Sequence, residues 1–300
     1  MKKEIKPKLL VILGPTAVGK SGIAVRLAKK FNGEIISADS RQVYKGLNVG
    51  TGKITRREMK GVRHHLLDVA NPKQRFNAEK FKRLADLAIT DIILRNKLPI
   101  LCGGTGFYID AVVGEIPLPP IGADNKLRIK LAHKSPVQLL NILKKLNPVR
   151  ASKMAANNSE RNNIRRLIRA IEVAIVAEVP PLEMAPRYEV IQIGLQLPKT
   201  ELRMNIHDRL IKRLNSGMIA EAKHLHARGL SWKRMDELGL EYRYLALHIQ
   251  GKMTKDEMVS KLETEIWRYA KRQMTWFRKN KKIKWFNPEE FDQISEYAST

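Results

Sequence analysis

The sequence predicts an α/β fold: a P-loop core built as a three-layer parallel sheet, carrying an inserted, mainly helical module. Three observations indicate this class. The apolar run Leu9–Leu13 leads into a glycine-rich loop and then into a helical pattern of apolar residues. Further short apolar runs alternate with helical patterns, as in parallel sheets with helical crossovers. A polar, helix-forming stretch poor in strand patterns then interrupts the alternation.

The first loop has the spacing of a phosphate-binding P-loop. Its glycines let backbone N–H groups turn toward an anion, Lys20 can reach the outer oxygens, and the Ser21 hydroxyl can hold Mg²⁺. The flanking strand and helix favour this interpretation over a chance glycine turn with a surface lysine. The motif predicts phosphate binding but does not identify the phosphate. Its residues are Gly14, Pro15, Thr16, Ala17, Val18, Gly19, Lys20 and Ser21.

A second apolar run, Glu34–Ala38, ends in a cluster of polar residues. Because ligands of open α/β sheets collect at the carboxyl ends of strands, this cluster is expected beside the P-loop. The carboxylate at its start could be a Mg²⁺ ligand, a general base or a helix cap. The cluster consists of Asp39, Ser40, Arg41 and Gln42.

Two further strands are predicted. Pro99–Cys102 leads into the glycine-rich Gly103–Gly106 without delivering an acid, which argues against ordinary ATP hydrolysis. Glu189–Leu197 alternates between apolar and polar residues and should return the chain to the sheet. Helices are expected at about 199–214 and 255–279, and aromatics in the second could pack in the core or stack on bases.

Two other features lie between the predicted strands Glu34–Ala38 and Pro99–Cys102. The turn Gly46–Lys53 is expected near the same site. The pair His64 and His65 could suggest a metal site, but adjacent side chains point in different directions on a strand or helix. Since metal sites usually need further ligands at matching spacing, a structural role is favoured.

The composition changes after Ile116–Pro120, which has the character of a linker. We predict a catalytic core formed by 1–120 and 188–300, with C-terminal basic helices, and a helical module at 121–187. One helix of the module carries arginines at four-residue spacing on one side and apolar residues on the other. Only two glutamates lie nearby in sequence, so phosphate contact is favoured over a merely solvated face. The arginines are Arg161, Arg165, Arg166 and Arg169.

The charge balance narrows the partner. The chain has 56 basic and 30 acidic residues and a net charge of +26, which suits a nucleic acid more than a merely basic surface. Cys102 is the single cysteine, so no internal disulfide can form and a reducing compartment is expected. No apolar run has the length of a membrane span, and the first residues lack a signal-peptide core. These observations predict a cytoplasmic enzyme.

In its ordered motifs the chain resembles the tRNA dimethylallyltransferases, also called tRNA isopentenyltransferases, over nearly its whole length. Several ordered motifs are far more specific than a lone P-loop. Besides the loop itself they are D-S-R-Q-V-Y-K-G at 39–46, G-T-G-K at 50–53, H-H-L-L-D at 64–68, G-G-T-G-F-Y at 103–108, R-R-L-I-R-A-I-E-V at 165–173 and K-R-Q-M-T-W-F-R at 271–278.

The resemblance implies a reaction. A dimethylallyl group would pass from dimethylallyl diphosphate to N6 of the adenosine 3′-adjacent to the anticodon, in tRNAs reading codons that begin with U. The P-loop would hold the diphosphate with Mg²⁺, Asp39 would be the general base, and Arg209 would contribute to the diphosphate site. Thr16 and Thr105 would line the channel between donor and base.

The resemblance also implies where tRNA binds. Residues 39–42 would read the flipped adenine, and the arginines of the module would hold the anticodon stem-loop. Tyr242 and Arg243, in the segment 241–244, would make a further contact. No motif demands more than a monomer.

Three positions depart from the family pattern. Ser21 stands where threonine is common, which keeps the hydroxyl. Asn205 occupies a position that is often arginine, and Glu241 one that is often glycine. Two rival functions are a P-loop kinase for a small molecule or nucleotide, and a non-catalytic RNA-binding protein. The charge excess argues against the first, and Asp39 beside a P-loop argues against the second.

Overall fold

The computed structural model describes residues 6–116, 118, 121–176 and 187–300. These fall into two compact units, one formed by 1–116 with 186–300 and the other by 117–185. Most of the predicted linker, Pro117, Pro119 and Pro120, lies outside the described residues, as does the end of the predicted module at 177–186. No helix in the described ranges is both long and apolar enough to span a membrane.

The larger unit contains a six-stranded parallel sheet in the described part of the chain, which confirms the predicted α/β class. The strand order is β3-β2-β4-β1-β5-β6. Consecutive residues of β1 and β4 are buried, and since their side chains alternate between the two faces, both faces are covered. The strands are β1 (Lys8–Leu13), β2 (Gly33–Ala38), β3 (His64–His65), β4 (Leu98–Gly103), β5 (Glu189–Leu195) and β6 (Lys284–Phe286).

The helices of this unit surround the sheet. Helices α1 and α3 pack against β2 and β4, and α15 packs against β5. Asn77 caps α3 as its sequence position suggests, accepting the N–H of Lys80. The helices are α1 (Lys20–Lys30), α2 (Arg56–Met59), α3 (Ala78–Leu94), α4 (Gly106–Val113), α10 (Lys199–Asn215), α11 (Met218–Ala227), α12 (Trp232–Leu238), α13 (Leu240–Ile249), α14 (Lys255–Phe277) and α15 (Phe291–Ser299).

The smaller unit is helical and has its own apolar core. Leu167, Ile168 and Ile171 of α9 belong to this core, but Ile164 and Ile175, at the two ends of its predicted apolar side, are exposed. The helices of this unit are α5 (Asn125–Ala132), α6 (Pro136–Leu146), α7 (Pro148–Ala156), α8 (Asn158–Arg161) and α9 (Ile164–Ile175).

The register of the sheet positions the site. Ala38, Gly103 and Leu13 are partners across β2, β4 and β1, so the loops after these three strands start side by side. A Cβ on Gly103 would lie 2.1 Å from the Ala38 carbonyl oxygen, so only glycine fits where β4 ends. Asp39, the Gly-Gly-Thr-Gly turn and the P-loop therefore meet at one edge of the sheet.

Candidate active site

The P-loop forms a tight turn between β1 and α1 with the backbone shape expected of an anion cradle. Gly14, Ala17 and Gly19 have φ values of 145°, 63° and 91°. The first has no room for a side chain, because a Cβ there would lie 2.5 Å from the Leu195 carbonyl oxygen. Val18 is buried, which anchors the loop, and Ser21 is exposed in the first turn of α1.

The Lys20 ammonium folds back over the loop and donates to the Pro15 carbonyl over 2.6 Å. Burial lowers the pKa of Lys20 to about 8; the charge of Arg209 also lowers this pKa, whereas Cys102 and Asp39 raise it. Burial raises the pKa of the Cys102 thiol to about 11. The amine is therefore the group at this site that changes charge near neutral pH, whereas the thiol stays protonated there.

Asp39 follows β2 and organises its own turn. Its Oδ1 accepts the backbone N–H groups of Arg41, over 2.8 Å, and Gln42, over 3.3 Å. Among the described residues, Oδ2 accepts no hydrogen bond. One oxygen thus holds the turn, while the other is available to a ligand.

The Gly-Gly-Thr-Gly turn lies between Asp39 and the P-loop. Thr105 Oγ1 accepts the Ser40 N–H over 3.0 Å, which links this turn to the carboxylate turn. Tyr269 packs close by, and burial raises the pKa of its hydroxyl, so it is neutral at physiological pH.

Arg209 of α10 connects the P-loop to the glycine-rich turn at 46–53. Its Nη1 donates to Thr16 Oγ1 over 3.2 Å, and its Nη2 donates to the Gly52 carbonyl over 3.1 Å. Burial, with the neighbouring Arg213 charge, lowers the pKa of Arg209 from its ordinary value. A guanidinium remains charged despite such a shift, so a largely buried positive charge lies beside the anion cradle.

The turn at 46–53 is held from behind by Glu221 and Arg213, which belong to none of the quoted motifs. Glu221 accepts the N–H groups of Asn48, Val49 and Gly50 over 2.7 to 2.9 Å. Arg213 donates to the Val49 carbonyl over 2.8 Å and to the Gly50 carbonyl, and it pairs with Glu241 over 2.9 Å. Glu241, at a position where the family often has glycine, thus supplies a carboxylate that balances the charge of the arginines of α10.

One of the predicted contacts with nucleic acid needs correction. Tyr242 is 1 % exposed and donates its hydroxyl to Glu221 over 2.7 Å, so its side chain is a core residue and not a surface for RNA. Arg243 is exposed, beside Asp236 at 2.6 Å. Arg169 is half-buried, donates to the Ile121 and Gly122 carbonyls and pairs with Glu172, so it also has a structural role, and its contact with tRNA stays a prediction.

The other arginines of α9 point outward. Arg165 is exposed and makes no hydrogen bond or ion pair with any described residue. Arg166 is also exposed and lies 3.4 Å from Glu160, which Arg150 contacts too. Arg161, at the end of α8, is likewise exposed and makes no side-chain hydrogen bond or ion pair with a described residue. Arg161 and Arg165 are therefore the members of the predicted set that are most available to a phosphate.

The histidine pair lies away from these loops. His65 Nε2 contacts the buried Glu34 carboxylate over 2.7 Å, and Arg95 and Lys97 pair with the same carboxylate. No group of three potential metal ligands among His, Cys, Asp and Glu occurs in the described residues. The two histidines form β3, which pairs with β2. The ion pairs around the Glu34 carboxylate stabilise the start of β2.

The aromatics of α14 differ in burial. Phe277 is buried, and Trp276 donates its indole N–H to Asp110 over 2.8 Å, so both are structural. Trp267 is half-buried, with the Arg203 guanidinium 4.8 Å from its ring centre. It lines a cavity of about 260 Å³ that Pro15 of the P-loop also borders.

Comparisons with known proteins agree with this geometry. The profile of the IPP transferase family matches residues 42–280. A protein named tRNA dimethylallyltransferase 2 from Trichlorobacter lovleyi is 42% identical over 93% of this chain and 90% of its own length. One of the same name from Treponema denticola is 42% identical over 92% and 93%.

Solved structures give the same result. The full-length tRNA isopentenylpyrophosphate transferase of Bacillus halodurans is 36% identical, with a TM-score of 0.74 over 98% of this chain and 96% of its own. A eukaryotic dimethylallyltransferase, captured acting on tRNA, is 25% identical, with a TM-score of 0.82 over 98% of this chain and 77% of its own.

Proposed function

The chain belongs to the tRNA dimethylallyltransferase (IPP transferase) family, and from this premise we propose the reaction that its site performs. The protein is a transferase that modifies tRNA. The donor is dimethylallyl diphosphate, and the acceptor is N6 of the adenosine 3′-adjacent to the anticodon, in tRNAs reading codons that begin with U. The kinase alternative is not favoured, because the relatives are named as dimethylallyltransferases and not as kinases.

The observation that carries the proposal is the arrangement at the sheet edge. An anion cradle and a carboxylate with one unengaged oxygen follow β1 and β2, and the turn after β4 lies between them. A diphosphate in the cradle would point its allylic carbon along this turn toward Asp39. Thr16 and Thr105, which bond to Arg209 and to the Ser40 amide, would line the path.

The proposed step breaks one bond and forms another. The N6 nitrogen attacks the allylic carbon, the carbon–oxygen bond of the donor breaks, and its electron pair leaves with pyrophosphate. The proton released from N6 moves to Asp39 Oδ2. Lys20, Arg209 and the loop amides stabilise the charge that develops on the leaving group. A positioned base of this kind typically contributes about 10²- to 10⁴-fold.

The start of α1 fits a magnesium ion. Ser21 presents an exposed hydroxyl beside Lys20, and no carboxylate cluster surrounds it among the described residues. Mg²⁺ commonly keeps several waters and binds through few protein ligands together with substrate phosphates. Ser21 would hold the ion, which would supply charge neutralisation on the diphosphate.

The acceptor adenine must leave its stack, at a cost of a few kcal/mol that is smaller in a loop than in a duplex. Residues 39–42 would contact the flipped base, and the exposed arginines of α9 would bind the backbone of the anticodon stem-loop. The donor site is built from one chain, so we propose a monomer. Because the acceptor is tRNA, we propose that the reaction takes place in the cytoplasm.

One experiment tests the reaction directly. The protein is incubated with Mg²⁺, unmodified tRNA and labelled dimethylallyl diphosphate, and in a parallel sample with ATP in place of the donor. Label in tRNA, with one pyrophosphate released for each group transferred, is the expected result. Turnover of ATP without alkylation of tRNA would overturn the proposal.

A further inference from the structure

Gln273 of α14 is a polar side chain in an apolar setting between two active-site loops. It is 6% exposed. Its Oε1 accepts the backbone N–H of Thr16 over 2.8 Å, and its Nε2 donates to the Gly104 carbonyl over 2.8 Å. One side chain thus bonds to the loop after β1 and to the turn after β4.

The site requires a side chain that both accepts and donates hydrogen bonds. Thr16 offers a donor and Gly104 an acceptor, so the residue between them must accept at one end and donate at the other. A Cβ on Gly104 would lie 2.2 Å from Gln273 Nε2, so a side chain there would displace the glutamine amide. A buried polar group is kept only where its hydrogen bonds are made, and here both ends are satisfied by backbone.

The two bonds connect the two halves of the proposed chemistry. On one side, Thr16 also accepts from Arg209, beside the anion cradle. On the other side, the turn that begins at Gly104 continues to Thr105, which holds the Ser40 amide next to Asp39. A continuous set of hydrogen bonds and backbone therefore runs from the diphosphate cradle to the base, and Gln273 is its central member.

We propose that Gln273 is a positioning residue that sets the spacing between the P-loop and Asp39, a role that rests on the proposed function. It contacts neither the donor nor the acceptor in this scheme. It acts through Thr16 and Gly104, so that the allylic carbon and the base are held in line. A misplacement of about 1 Å at a reacting centre can cost on the order of 10²-fold in rate.

Two substitutions test the role. Gln273→Met keeps the length of the side chain and removes both bonds, and we expect kcat to fall about 10- to 100-fold. The KM for dimethylallyl diphosphate should change by less than about threefold, and calorimetry should still show full pyrophosphate stoichiometry, because no group that contacts the donor is removed. A kcat within about threefold of wild type, at full pyrophosphate stoichiometry, would overturn the proposal.

Gln273→Glu adds a readout that a merely structural role would not produce. A protonated carboxyl accepts and donates like the amide, whereas a carboxylate cannot donate to Gly104. Burial raises the pKa of such a group, so the ratio of variant to wild-type kcat should rise as the pH falls from 8 to 6. The same ratio for Gln273→Met should be flat.

The outcomes separate the two proposals. If wild-type protein transfers label to tRNA and the Gln273→Glu ratio is constant with pH, the positioning role fails while the reaction stands. If wild-type protein transfers no label, the proposed function itself fails. Should Gln273→Met not fold, the pH ratio of the isosteric Gln273→Glu variant still decides the question.

Discussion

Asp39 Oδ1 accepts the backbone N–H of Arg41 over 2.8 Å, so one oxygen of this carboxylate is committed to its own turn. The second oxygen makes no hydrogen bond with the described residues. This division lets the structural and chemical roles of Asp39 be separated by substitution.

Asp39→Asn should keep the turn and lose the base. The asparagine oxygen still accepts the Arg41 and Gln42 amides, but the side chain cannot take a proton from N6. We expect kcat to fall roughly 10²- to 10⁴-fold, with the Kd for tRNA within about twofold of wild type. Asp39→Ala, which also loses the turn, should in addition weaken tRNA binding. Normal turnover of Asp39→Asn in a single-turnover assay would remove Asp39 from the base role.

Arg209→Ala should weaken pyrophosphate binding about 10- to 100-fold, because charge-assisted hydrogen bonds are worth about 1.5 to 3 kcal/mol. Arg209→Lys keeps the charge but cannot span Thr16 and Gly52, so an intermediate loss is expected. Calorimetry with pyrophosphate and Mg²⁺ measures both. Arg213→Lys is the matched control, since Arg213 holds the same turn without touching Thr16. Equal losses for Arg209→Ala and the control would assign Arg209 to the turn alone.

The Lys20 pKa of about 8 predicts a pH dependence of anion binding. Only the protonated amine attracts a diphosphate, and its fraction falls about tenfold between pH 7 and pH 9 if the pKa is near 8. Affinity for pyrophosphate should therefore fall as the pH rises through 8. Because pyrophosphate itself ionises in this range, the measurement is the ratio to Lys20→Arg, whose side chain stays charged. We expect the ratio of affinities, wild type over variant, to fall about tenfold, and a constant ratio would contradict the prediction.

The arginines of α9 should separate into RNA-binding and structural members. Arg165→Ala removes an exposed charge, so we expect weaker tRNA binding and a salt slope that is smaller by about 0.7 to 0.9, the value for one phosphate contact. Arg165→Lys should keep the slope. Arg169→Ala should instead lower the melting temperature, because its bonds to two carbonyls and to Glu172 are lost. An unchanged slope in Arg165→Ala would place this residue away from the RNA.

Local patterns were sufficient where the chemistry is made by neighbours in sequence. The P-loop needs glycines at set positions, a lysine and a hydroxyl in eight consecutive residues, and apolar runs before such loops predict strands that end at the site. Gln273 could have been suspected in the same way. It lies at helical spacing with Ile266, Ala270 and Phe277, so a glutamine was visible on the apolar face of the predicted helix.

Tyr242 shows why a surface assignment made from sequence can fail. Exposed and buried tyrosines look alike in a sequence, and its burial depends on Glu221, 21 residues away, which also caps the turn at 48–50. Arg169 likewise belongs to a charged helix face, but its guanidinium donates hydrogen bonds to carbonyls 47 and 48 residues earlier in the chain.

The sequence by itself determined the α/β class, the anion cradle, the acid after β2 and the family, because each depends on residues close together in the chain. The tertiary structure decided which loops touch. The sheet order sets the turn after β4 between Asp39 and the P-loop, and Gln273 reaches Thr16 across 257 positions of sequence. Hydrogen bonds act over about 3 Å regardless of separation along the chain, so only the folded backbone shows which distant groups they join.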